Sequence, residues 1–115
     1  MLFIAPFSYV YSIFIKDFKI FVGSEVGIVI LDLNSYKIQN QYLTDSKVDF
    51  ITYYGNWIYY FSKNSIYKIS LNWQLGQSPF LIKQNVQKPK KFGISEDYKI
   101  VLDYGSYKKI LNDAG

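Results

Sequence analysis

At 115 residues the chain has room for one hydrophobic core, and its 50% hydrophobic, 20% aromatic and 19% charged content lets it bury far more than a disordered segment can. Cysteine and histidine are absent and all 13 basic residues are lysine. This excludes disulfides, Cys/His metal sites, cysteine or histidine nucleophiles, histidine pH switches and bidentate arginine clamps. A net charge of +4 leans mildly toward anionic partners.

With 12 Tyr and 9 Phe beside many Ile and Val, the composition favours residues that fit a pleated surface, and the expected class is all-β. Residues 1–15 carry no charge, but the run is too short, and too interrupted by Pro6, Ser8 and Ser12, for a spanning helix, so no membrane span is expected. No lysine precedes it as in a signal peptide, which together with the missing cysteine points to the cytoplasm. Within this run Leu2, Phe3 and Ile4 read as a strand.

Further along, Ile20, Ile58 and Ile100 anchor three similar runs spaced 38 and 42 residues apart. Eight residues before the anchors stand Ser12, Phe50 and Phe92, and three before stand Asp17, Gly55 and Asp97, which initiate tight turns. Each anchor strand runs into a turn, at Gly23-Ser24-Glu25, at 62–65 and at 103–106, and then into another apolar run at 28–33, 66–71 and 107–111. A fourth strand is expected at 36–43 and at 79–83. The third unit has none after it, and Leu2, Phe3 and Ile4 are expected to supply it. The units divide as 1–43, 44–83 and 84–115.

Four short antiparallel strands recurring about every forty residues are the pattern of a propeller blade. The segment Gly27-Ile28-Val29-Ile30-Leu31-Asp32-Leu33-Asn34-Ser35-Tyr36-Lys37 resembles the β-propeller repeats of the WD-repeat, YVTN and PQQ-like kind. No Trp-Asp pair closes a strand, no Gly-His is present, and Ser70-Leu71 stands where the first unit has Asp32-Leu33. The resemblance implies three blade-like four-stranded antiparallel sheets. Closed propellers have about four to eight blades, so three require a partner, most simply a second copy completing a six-bladed ring. The alternative architecture is a β-sandwich.

Catalytic equipment is sparse. Glu96-Asp97 is the only adjacent carboxylate pair and sits in a turn, where Asp bonds its own backbone. No calcium-loop spacing and no Gly-rich phosphate cradle occurs, so neither an enzyme nor a cofactor is expected. Lys88, Lys90 and Lys91 form the densest charge cluster, and with Lys108, Lys109, Tyr98 and Tyr107 they suggest a basic surface with aromatic faces. Pro89 and its lysines also suit a solvated loop that blocks strand addition. Trp57, Tyr59 and Phe61 alternate with Ile58 and Tyr60, so this strand is apolar on both sides, as a sheet stacked between two others would be. The expected function is a non-enzymatic structural or protein-interaction module within a homo-oligomer, a dimer first, or a larger assembly. The alternative is nucleic-acid or glycan binding through the Lys/Tyr surface.

Overall fold

The computed structural model describes residues 9–44, 46–72 and 78–112. These form eleven strands and, among the described residues, no helix: β1 (Val10–Lys16), β2 (Lys19–Ser24), β3 (Gly27–Asp32), β4 (Ile38–Leu43), β5 (Phe50–Tyr54), β6 (Trp57–Ser62), β7 (Ser65–Ser70), β8 (Phe80–Lys83), β9 (Lys91–Ile94), β10 (Lys99–Asp103) and β11 (Lys108–Asn112). They build three antiparallel sheets in chain order, β1-β2-β3-β4, β5-β6-β7-β8 and β9-β10-β11, which is one sheet more than a two-sheet sandwich has. The third sheet has three strands among the described residues where four were expected. Leu2, Phe3 and Ile4, expected to supply the fourth, lie outside those residues.

Turn chemistry sets the meander. Asp17-Phe18, Gly55-Asn56 and Lys63-Asn64 connect their strands as two-residue turns with both φ between 53° and 66°, the mirror-image type whose twist matches the flanking strands. Between β2 and β3 the buried Ser24 Oγ accepts from the backbone N–H of Val26 and Gly27 and donates to Gly27 O. Asp32 closes the β3–β4 connection, its carboxylate accepting from the N–H groups of Asn34 and Ser35 at 3.0 and 2.8 Å.

Strand alternation then decides the packing. Phe21, Ile28 and Ile30 of the first sheet meet Ile51, Tyr53, Ile58 and Tyr60 of the second in one buried cluster, with Phe21 and Tyr53 stacked at 4.7 Å. The opposite face of the second sheet presents Phe50, Phe61 and Ile66 to Ile100, Leu102 and Phe92 of the third. The second sheet is thus covered on both faces. The first strands lie side by side, β1 against β5 and β5 against β9. Ile20, Ile58 and Ile100 each stand second in the second strand of a different sheet; Ile58 and Ile100 are fully buried and Ile20 is half-buried. No helix among the described residues is long and apolar enough to span a membrane.

Two glycines separate close packing from free space. A Cβ at Gly27 would lie 2.1 Å from Tyr42 O across the β3–β4 pair, whereas one at Gly93 would meet nothing within 4 Å. Gly27→Ala should therefore part β3 from β4 and lower unfolding stability by about 2 kcal/mol or more. Gly93→Ala should raise it by about 0.5 kcal/mol, because alanine has less backbone freedom to lose in a strand. Urea unfolding of the two variants checks both signs, and equal effects would contradict the packing described.

Candidate functional site

The carboxylates come first, because they are the chain's remaining acid–base candidates. The Asp97 carboxylate accepts a hydrogen bond from Ser95 Oγ and lies 3.6 Å from Lys99 Nζ. The Ser95 bond, aided by Lys99, holds Asp97 below the usual carboxylate range. Asp32 is likewise lowered, first by the Ser35 backbone N–H and then by the Ser35 hydroxyl. Both are ionised turn-formers, a structural role. Among the described residues no group of three metal-ligating side chains occurs.

Asp49 is the buried exception. It precedes β5 where the chain crosses from the first sheet to the second, is 8% exposed, and its Oδ1 has no hydrogen-bond partner. Two ammonium groups offset its charge, Lys47 Nζ at 3.6 Å and Lys88 Nζ at 3.4 Å. Lys88, singled out from the sequence as an anion contact, is therefore paired inside the protein. The loop it belongs to differs from a wholly solvated one: Pro89 is buried and Lys91 is the first residue of β9, while Lys88 and Lys90 are exposed.

The other basic residues gather at one end of the third sheet. Lys91, Asp103 and Lys108 stand in one row across β9, β10 and β11, with Lys91 and Lys108 on either side of the carboxylate. Lys109 pairs with Leu102 and so occupies the opposite face from Lys108. Lys90 donates its N–H to Asp103 O and runs beside Gly105, whose φ of +94° shapes the β10–β11 loop. Tyr107 stacks on Tyr104 at 5.1 Å and 19°. Tyr98 is elsewhere: in the turn before β10 it meets Tyr54 edge-on at 4.7 Å, at the far end of the sheet from Tyr107.

Two clefts lie at successive joints between sheets. The first, about 120 Å³, is lined by Tyr42 of the first sheet, by Thr44 just beyond it, and by Tyr60, Ser62 and Tyr67 of the second. The second, about 210 Å³, is lined by Lys83 and Gln87 on one side and by Leu102, Tyr104, Tyr107 and Lys109 on the other. Tyr104 Oη donates to Gln87 O at 2.7 Å, which fixes the ring in the wall. Lys83 was not among the residues singled out from sequence, since nothing local marks the end of β8 as adjacent to the β10–β11 loop. No protein-family model and no curated protein matches the chain.

Tyr60, in the first cleft, is 2% exposed, and burial, with Tyr42 and Tyr67 beside it, pushes its phenol far above the usual value. A group kept neutral in the folded state but free to ionise in the unfolded state stabilises the fold only below the unfolded pKa, near 10. Folding stability should therefore fall as pH rises past 10, by about 1.4 kcal/mol per pH unit from Tyr60. Urea unfolding at pH 8 and pH 11 measures this, and Tyr60→Phe should flatten the decline. An unchanged slope in that variant would contradict the assignment.

Proposed function

We propose that the protein is a non-enzymatic interaction module, three consecutive blades of a propeller-type array, which associates with a second copy through the exposed edge of its first sheet's outward face, at Ile13 and Ile15. The blade reading is supported by the meander order of each sheet, the side-by-side first strands and the equivalent places of Ile20, Ile58 and Ile100. It is supported again by direction. Ile58 packs toward the first sheet and Ile100 toward the second, so each anchor faces the preceding sheet. Ile20, by the same rule, faces outward.

The observation that carries the functional reading is the difference between the two outer faces. On the first sheet, register places Ile13, Ile15, Ile20, Val22, Val29 and Leu31 outward, and no strand position on that face is charged. Its centre, Val22 and Val29, is buried, while Ile13 and Ile15 at its edge are 60% and 56% exposed. On the third sheet the outward positions include Lys91, Lys99, Asp103 and Lys108 around Val101 and Ile110. A head-to-tail ring would press these charges against the apolar face and desolvate them. Two copies of the first face meet apolar to apolar through a two-fold axis.

The exposed parts of Ile13 and Ile15 amount to roughly 200 Å² per chain, about 5 kcal/mol at about 25 cal/mol per Å². Two chains contribute twice that, against an association cost of about 4–15 kcal/mol. The difference is at most about 6 kcal/mol, so sedimentation should show a dimer of 13.5 kDa chains that dissociates at about 40 µM or above. Ile13→Glu with Ile15→Glu should leave a folded monomer. A wild-type chain that is still wholly monomeric at about 1 mM would contradict the proposal.

A further inference from the structure

The joint between consecutive sheets occurs twice, and one cross-strand pair changes its chemistry between the two copies. In the second sheet Ile58 pairs with Ile69, and two residues on Tyr60 pairs with Tyr67; in the third sheet Ile100 pairs with Leu111, and two residues on Leu102 pairs with Lys109. Tyr60 and Tyr67 stack at 5.1 Å and 16° and fill most of the first joint, leaving about 120 Å³. Leucine and lysine at the equivalent register leave about 210 Å³ at the second. The fold itself closes such a joint with tyrosines, and the second joint is the one left open.

What lines the opening has a definite chemistry. Two ammonium groups, Lys83 and Lys109, border it, and no carboxylate does. The Tyr107 ring, stacked by one face on Tyr104, is 56% exposed and offers its other face beside the lysines. Two monocations balance a dianion, and lysine serves as a point charge where arginine would fork. At about 210 Å³ the opening is below the roughly 300–1,000 Å³ that encloses a drug-sized molecule, so a nucleotide, itself of that size, is held by its phosphate and one ring face with the remainder in solvent.

We propose that this second cleft binds a ring-bearing phosphate monoester of one-nucleotide size, with Lys83 and Lys109 on the phosphate and Tyr107 against the ring. A flat base stacks on a tyrosine face in a sequence-tolerant way, which is the interaction an exposed ring next to cations provides. The phosphate is either free or the terminus of a single strand. Lys91 and Lys108 lie on the other face of the same sheet end and take no part.

The test is titration of the full chain with 5′-AMP, with adenosine, and with a 5′-phosphorylated oligothymidylate, followed through the backbone amide signals of residues 83–87 and 102–111. The phosphate compounds should shift these signals and adenosine should not. Lys109→Tyr, which installs the residue found at the equivalent register of the other joint, should weaken AMP binding at least tenfold, and Lys83→Ala should do the same. Lys91→Ala with Lys108→Ala should change it less than twofold. An oligonucleotide binding more than tenfold tighter than AMP identifies strand ends as the source, and comparable binding identifies free nucleotide. Equal losses from both lysine pairs, or no shift with millimolar AMP, would overturn the proposal. Loss of the folded amide spectrum in Lys109→Tyr shifts the decision to Lys83→Ala, which alters only an exposed side chain.

Discussion

Everything in this fold depends on the second sheet being apolar on both faces. A half-buried antiparallel sheet alternates apolar with polar residues, yet here both alternating sets are large and apolar: Ile58 and Tyr60 on one side, Tyr59 and Phe61 on the other, all essentially unexposed. Such a sheet has no stable existence with either face in water. Its burial draws Phe21 of the first sheet onto Tyr53 and Ile58, and Phe92 of the third onto Phe50 and Phe61. Each outer sheet meets the second sheet through one face only, which leaves the other faces free to differ in composition.

That freedom is where the molecule acquires its two distinct surfaces. The first sheet has mostly aliphatic and no charged side chains at its outward positions, while the third sets lysines and a carboxylate around Val101 and Ile110. An uncharged face suits contact with another apolar face, whereas a lysine-bearing face resists adding a further sheet. Between the sheets, the joints are set by single cross-strand pairs. Exchanging a Tyr–Tyr pair for Leu–Lys changes an almost filled joint into a basic cleft without changing the strands that frame it.

Much of this architecture was legible in the sequence. The anchors Ile20, Ile58 and Ile100 were found by spacing alone, and they stand at matching places because each follows a tight turn by the same short step. The two-faced character of β6 followed from reading its alternation. The site was less legible. Lys88 looked like a free cation in sequence, but the buried Asp49 has no hydrogen-bond partner for Oδ1 and draws Lys88 and Lys47 to it. Tyr98 precedes β10 and Tyr107 follows it, so the strand's five residues, about 17 Å at about 3.4 Å each, separate their places in the backbone. Lys83 joins Lys109 only through the packing of one sheet on the next, a long-range contact that no local pattern carries.

The account is most directly tested by native-state hydrogen exchange. If the doubly covered second sheet holds the molecule together, amides of β5 and β6 exchange only through global unfolding, and those of β9 to β11 exchange through a cheaper opening that leaves the first two sheets paired. Exchange of β6 at or below the free energy of the third sheet would contradict it.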